Sequence, residues 1–295
     1  MSALPPLSLP VPCVQAPQQW QRIDFISDLH LDASEPATFE AWAQHMAHTP
    51  ADALFILGDL FEVWVGDDTQ DPFALQCMDV LQRTTQRMPV YFMCGNRDFL
   101  VGDALLKATG LHGLSDPTVL QMDEATDAEP VDKGALSALV SSEPSTASHN
   151  NQPLRLLLSH GDSLCLGDTD YLAFRAQVRQ PAWQQQFLAQ PLAERQAFAR
   201  RLREQSEARK TTHTDYADVD HPAARSWLHT AQASVFLHGH THKPAVHDLG
   251  DGLTRWVLSD WHADARPPRL EVLSWLRSQE KSPTRGLCRL PLNHS

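Results

Sequence analysis

Seven residues in this chain could bind metal ions together: Asp28, His30, Asp59, Asn96, His160, His240 and His242. They offer carboxylate, amide oxygen and imidazole, a mixed set that suits Mn, Fe or Zn better than Ca, which takes oxygen alone. Seven ligands exceed one ordinary site. Two ions sharing a bridging carboxylate would use them all, and paired ions of this kind lie ~3.5–4 Å apart and clamp the attacking and leaving oxygens of a displacement. With only Asp28 and Asp59 anionic, such a cluster stays positive, so an anionic phosphate ester is its natural substrate. Each motif alone is weak. Asp-x-His is often a capping acid near a structural His, Gly-Asp after a strand is common in loops, and Gly-His-x-His can arise by chance in a chain with 15 His. Their joint arrangement carries the argument, because convergent ligands mark a site.

What must position these residues is a set of strand ends. The run Leu54-Phe55-Ile56-Leu57 stops abruptly at Gly58-Asp59, the pattern of a buried strand delivering a carboxylate to the edge of a sheet. Four further short apolar runs behave alike. Ile23 to Ile26 hands over to Ser27-Asp28-Leu29-His30, and Val90 to Met93 to Cys94-Gly95-Asn96-Arg97-Asp98. Leu154 to Leu158 ends at Ser159-His160-Gly161-Asp162, and Val235 to Leu237 at His238-Gly239-His240-Thr241-His242. Helical spacing of Phe39, Trp42 and Met46, and a helix candidate over Phe73 to Arg87, separate the first strands. The expected fold class is therefore α/β (or α+β), layered, with one site assembled from five loops. Trp256 to Leu258 and Leu270 to Leu273 are expected to close it.

Composition limits the rest. A chain of 295 residues with 20% charged and 42% hydrophobic residues is globular, and its net charge of -12 argues against a general nucleic-acid binder. Cys13, Cys77, Cys94, Cys165 and Cys288 are scattered and odd in number, as expected of free thiols in a reducing compartment. No run approaches the ~20 apolar residues of a membrane span, so the protein is expected to be soluble or at most peripheral. The expected organisation is a flexible, Pro-rich tail at 1–20, a main domain at 21–277 and a C-terminal tail at 278–295. Within the main domain, 123–152 reads as a mobile insertion and 169–212 as a helical lid broken at Pro181 and Pro191.

The pattern Asp-x-His, Gly-Asp, Gly-Asn, His and Gly-His-x-His resembles that of the calcineurin-like metallophosphoesterases, over most of residues 22 to 275. The resemblance implies a sandwich of β-sheets flanked by helices. It implies that Asp28, His30, Asp59 and His242 hold one metal and Asp59, Asn96, His160 and His240 the other, with His238 in a packing or supporting role. One position departs from the family: the usual His after the Asn is Arg97 here. A guanidinium is a poor general acid but a good phosphate clamp. Expelling an alkoxide needs an acid, whereas a phosphate monoester, with a second pKa of about 6, leaves without one. Arg97 thus favours a diphosphate substrate, unless it merely pairs with Asp98.

More narrowly, Asp28-Leu29-His30-Leu31, Gly58-Asp59-Leu60-Phe61-Glu62, Gly95-Asn96-Arg97-Asp98-Phe99-Leu100 and His238 to Ala245 resemble the UDP-2,3-diacylglucosamine hydrolase family. That resemblance implies cleavage of a UDP-linked, doubly acylated glucosamine to UMP and the acylated sugar 1-phosphate in lipid A synthesis. It implies two divalent ions, Mn, and a cytoplasmic protein peripheral at the inner membrane, with no nucleic acid and no protein partner. Asn96 and Arg97 would be catalytic. Substrate contacts carry over to Asn96, Arg97, Asp168, Ser206 and His240, with Lys210 and His213 as two further lid positions. The aromatic and aliphatic residues from Tyr171 to Arg209 suggest an apolar chamber for acyl chains, against the alternative that they pack only on each other and on the sheet. Two other functions stay open: a metallophosphoesterase without lipid specificity, and a non-catalytic binding module on the same fold.

Overall fold

The computed structural model describes residue 7 and residues 9–123, 153–201, 217–279, 282 and 284–292. The apolar runs that end in polar clusters all become strands. In chain order the strands are β1 (Cys13–Gln15), β2 (Arg22–Ile26), β3 (Ala53–Leu57), β4 (Val90–Met93), β5 (His112–Leu114), β6 (Thr118–Met122), β7 (Leu154–Ser159), β8 (Val235–His238), β9 (Ala245–Gly250), β10 (Leu253–Val257), β11 (Glu271–Leu276) and β12 (Leu287–Pro291). The helices are α1 (Pro36–His48), α2 (Pro72–Thr85), α3 (Asp103–Thr109), α4 (Thr169–Val178), α5 (Pro181–Leu188), α6 (192–201) and α7 (His221–Ala231).

Two six-stranded sheets result, ordered β12-β11-β2-β3-β4-β5 and β1-β6-β7-β8-β10-β9. All five residues of β3 are buried, and it pairs in parallel with β2 and β4. A strand flanked on both edges and covered on both faces has no place for a polar side chain, hence its unbroken apolar run. Alternation then assigns its faces. Phe55 and Leu57 meet Leu156, Leu158 and Leu237 of the other sheet in the central core. Leu54 and Ile56 point outward to Trp42 and Met46 of α1 and Cys77 and Leu81 of α2. On the far side, Leu157 and Phe236 pack beneath Ala224, Trp227 and Leu228 of α7. The layers therefore run helix, sheet, sheet, helix. β2, β3 and β4 are mutually parallel, as are β7 and β8, so within each sheet the loops after these strands share one edge.

The structure corrects the expected tails. Cys13–Gln15 is not a free tail but pairs in parallel with β6, and Ala16 and Trp20 are buried. In the expected C-terminal tail, β12 pairs antiparallel with β11 and buries Leu287. Both segments are short, and their composition hides what holds them: backbone hydrogen bonds to a sheet edge, which any sequence without badly placed prolines can make. Of the expected insertion, Asp123 follows β6, and residues 124–152 lie outside the described residues. In the lid segment, α4, α5 and α6 are helical as far as residue 201, and residues 202–216 lie outside the description.

Candidate metal centre

The backbone bends sharply where the candidate ligands sit. Asp28 (φ 55), His30 (φ 48), Asp59 (φ 51), His240 (φ 66) and His242 (φ 51) all adopt left-handed conformations. Non-glycine residues visit that region at a cost of roughly 1–3 kcal/mol each, and such strain collects at functional sites. The loops also approach more closely than side chains would allow. A Cβ on Gly95 would lie 2.1 Å from Asp59 Oδ1, and one on Gly239 would lie 2.2 Å from Asp28 Oδ2. Glycine at these two places lets the loop after β4 close on that after β3, and the loop after β8 close on that after β2.

Two ligand groups result, with Asp59 between them. In the first, His242 Nε2 lies 3.3 Å from Asp28 Oδ1 and 3.2 Å from His30 Nε2. His30 Nε2 is in turn 4.0 Å from Asp28 Oδ1 and 3.8 Å from Asp59 Oδ2. In the second, Asn96 Oδ1 lies 2.9 Å from His160 Nε2 and 2.8 Å from His240 Nδ1, and His160 Nε2 lies 3.8 Å from Asp59 Oδ1. Ligands bound to one ion at about 2.0–2.2 Å stand roughly 3–3.5 Å apart, close to these spacings. One oxygen of Asp59 faces each group, the geometry of a bridging carboxylate.

The donors also fit a metal ion in their hydrogen bonding. Asp28 Oδ2 accepts from Ser27 Oγ (2.6 Å) and the His240 backbone N–H (2.9 Å), while buried Asp28 Oδ1 has no hydrogen-bond partner. An unsatisfied buried carboxylate oxygen is costly, and this one faces His30 and His242. His160 Nδ1 lies 2.9 Å from the Leu57 carbonyl; donating there leaves the Nε2 lone pair for the site. Electrostatics agree. Burial opposes ionisation of Asp28, yet His242, His160 and His30 hold its pKa far below the usual range. Burial likewise disfavours the His160 cation, but Asp59 and Asp28 outweigh it and raise the pKa to about 9. Carboxylates that favour positive charge on a buried imidazole also favour a cation beside it.

The other expected residues are distributed as follows. The Arg97 backbone N–H donates to Asp59 Oδ1 (2.8 Å), and its guanidinium faces Glu62 Oε1 at 3.6 Å. The expected alternative, an Arg97–Asp98 pair, is absent. Asp98 is fully buried and accepts from the backbone N–H of Gly95 (2.7 Å) and Leu60 (2.8 Å), tying together the loops after β4 and β3. His238 ends β8, fully buried, with Nδ1 2.8 Å from the Gly239 carbonyl, and burial lowers its pKa to about 3. A neutral, buried ring at that place matches a supporting role. Asp168 caps α4, accepting from the Tyr171 N–H at 3.1 Å. Ser206, Lys210 and His213 lie outside the described residues.

Several contacts had no local signature. Asp162 accepts from Arg175 Nε (2.8 Å) and from Tyr171 Oη, so α4 is fastened two residues from His160, and the Tyr171 ring stacks on His240 with centroids 5.9 Å apart. Arg195 of α6, 2% exposed, chelates Asp68 and donates to the Val65 carbonyl, fixing the lid to the loop after β3. Trp183 stacks on Phe187, and Phe198 packs tilted against the first and edge-on against the second, beside a cleft of about 210 Å³. Only Asp162 carried a hint, since it follows His160-Gly161; its partner Arg175 is 13 residues further on.

Comparison with known proteins agrees with this geometry. The calcineurin-like phosphoesterase family model matches residues 21–244. A UDP-2,3-diacylglucosamine hydrolase of Chromobacterium violaceum is 41% identical over 249 residues, covering 81% of this chain and 90% of that relative. Its counterpart in Stenotrophomonas maltophilia is 40% identical over 270 residues, covering 85% and 95%, and that of Xanthomonas campestris pv. campestris is 41% identical over 267 residues, covering 84% and 94%. With its candidate metal ligands gathered at the edges of two packed sheets, and with these relatives matched along most of their length, this chain belongs to the calcineurin-like phosphoesterases and, within them, to the UDP-2,3-diacylglucosamine hydrolase family.

Proposed function

We propose that this chain hydrolyses the diphosphate bond of UDP-2,3-diacylglucosamine, giving UMP and 2,3-diacylglucosamine 1-phosphate for lipid A synthesis, at the cytoplasmic face of the inner membrane. The observation that carries the reading is Asp59 set between two ligand groups, 3.8 Å from His30 on one side and 3.8 Å from His160 on the other. Asp28, His30, Asp59 and His242 would hold one ion and Asp59, Asn96, His160 and His240 the second. Divalent ions bound there, Mn in this reading, supply Lewis acidity and neutralise phosphoryl charge.

The chain's own residues orient the substrate. Arg97 has its backbone pinned to Asp59 and its side chain 18% exposed beside Glu62, placed to grip one phosphate bidentately. Water adds to phosphorus on the UMP side and the sugar 1-phosphate leaves as a weakly basic anion, so no general acid is required. Asp168 positions α4 over the site, and Ser206, Lys210 and His213 complete the substrate contacts in this reading. The lid receives the acyl chains. Phe187 is 5% exposed and mainly closes the lid's own aromatic core, whereas half-buried Phe174 lines a small recess with Asn96 and Tyr171.

Measuring kcat/KM on the acylated UDP-sugar and its deacylated form tests the reading. Burial contributes ~0.8 kcal/mol per methylene, so even four buried methylenes correspond to more than a hundredfold preference for the acylated substrate. Equal values on both would leave a nucleotide diphosphatase without lipid specificity. Failure to bind or respond to any divalent metal would leave a binding module.

A further inference from the structure

Glu62 lies at the seam between two loops of the site, and its backbone is fixed there. The loops after β2 and β3 continue to pair beyond the strands, with His30 N–H donating to Asp59 O (3.0 Å), Leu31 N–H to Leu60 O (2.9 Å) and Glu62 N–H to Leu31 O (3.2 Å). Two residues on, Trp64 N–H donates to Arg97 O (3.1 Å), joining the same segment to the loop after β4. Glu62 is therefore held between the loop that carries His30 and the loop that carries Arg97.

Its side chain, 12% exposed, divides its two oxygens between them. Oε2 lies 3.0 Å from His30 Nδ1, an ion-pair contact outside hydrogen-bond alignment, and Oε1 lies 3.6 Å from the Arg97 guanidinium. The other ring nitrogen of His30, Nε2, is the one among Asp28, Asp59 and His242. We propose that Glu62 is a positioning residue that couples metal binding to phosphate gripping: it orients His30 through Nδ1 so that Nε2 faces the ion, and aims Arg97 at the phosphoryl group beside that ion. A carboxylate behind a ligating His fixes its tautomer and ring orientation and raises its basicity, and its loss typically lowers metal affinity about 10–100-fold. Sharing that carboxylate with Arg97 makes the clamp and the ligand move together. The proposal rests on the metal-centre reading given above.

Calorimetric titration of Mn²⁺ into the metal-stripped full chain tests it, alongside kcat and KM for the UDP-sugar at saturating Mn²⁺. Glu62→Ala should weaken one of the two Mn²⁺ binding steps about 10–100-fold, with a metal-free melting temperature like that of the unaltered chain. At saturating Mn²⁺ its loss of kcat/KM should be less than additive with that of Arg97→Ala, since one variant disables what the other aims. Glu62→Gln retains an acceptor and should fall between, which keeps the test decisive even if Glu62→Ala folds poorly. Unchanged Mn²⁺ affinity in both Glu62 variants, or strictly additive losses with Arg97→Ala, would overturn the proposal. Asp28→Asn separates this failure from that of the metal centre: unaltered Mn²⁺ affinity there brings down the centre itself, whereas a loss there with none at Glu62 removes the coupling alone.

Discussion

Replacing Gly239 by Ala tests how tightly the two sheets close around the site. A Cβ there would lie 2.0 Å from Ser27 Oγ, 2.2 Å from Asp28 Oδ2 and 2.8 Å from Ser27 Cβ. Ordinary carbon contacts begin about 1.5 Å further out, at ~3.5 Å. Neither loop can retreat freely, because Gly239 N–H donates to the His160 carbonyl (3.1 Å) and Asp28 N–H to the Gly58 carbonyl (3.1 Å). The carboxylate is the group that must turn, and turning breaks its bond from His240 N–H. Overpacking costs about 1–3 kcal/mol, and the lost charge-assisted bond about 1.5–3 kcal/mol more. At roughly 2–4 °C per kcal/mol for a chain of this size, the melting temperature should drop by on the order of 10 °C. Mn²⁺ affinity should fall with it, since Asp28 Oδ1 turns away from His30 and His242. Adding Ser27→Ala removes the shortest clash but not the one with Asp28, so it should restore part of the stability and little of the affinity. A Gly239→Ala chain that melts within about a degree of the unaltered one and binds Mn²⁺ equally well would show that the loops are looser than these distances require.

Asp59→Ala should cost the protein both Mn²⁺ ions in metal analysis and Asp28→Ala mainly one; equal retention of both by Asp59→Ala would remove the bridge. Arg97→Ala should lower kcat/KM with metal content unchanged, and unaltered turnover would reduce Arg97 to a partner of Glu62. Phe174→Ser should weaken the acylated substrate about tenfold or more, from the ~1.5–3 kcal/mol of a buried Phe, while sparing the deacylated one; equal losses would assign Phe174 to the fold. His45 offers a pH test away from the metals. Burial lowers its pKa from 6.5 to about 4, with Asp24 partly opposing. The folded ring stays neutral where the unfolded one protonates, so this stability is present above pH 6.5 and is lost, by roughly 3 kcal/mol, as pH falls to about 4. His45→Gln should flatten the fall in chemical-denaturation stability over that window, and superimposable pH curves would refute the assignment.

The ligands were legible in the sequence because their signals are local. A strand covered on both faces must be apolar throughout, so Leu54 to Leu57 announced itself, and an abrupt Gly58-Asp59 after it could only be a turn bearing a carboxylate. The same reasoning placed His30, Asn96, His160 and His240 at strand ends. Short edge strands escaped it, since β1 and β12 are held by backbone bonds to neighbours whose position no local pattern reports. Arg97 shows the limit at the level of a single side chain. Its adjacent acid, Asp98, suggested a pair, but the bend after β4 turned Asp98 inward to two backbone N–H groups and left Glu62, 35 positions earlier, as the partner.

The sequence by itself thus determined which residue types are present and that each follows a strand, because ligand chemistry and strand periodicity are properties of a few consecutive residues. The tertiary structure alone decided which carboxylate oxygen faces which histidine and which acid stands behind His30. It also decided that Asp162 and Arg175 join the lid to the floor of the site. Those pairings depend on the register of strands and on the close approach of loops at Gly95 and Gly239, which only the packing of one sheet on the other fixes.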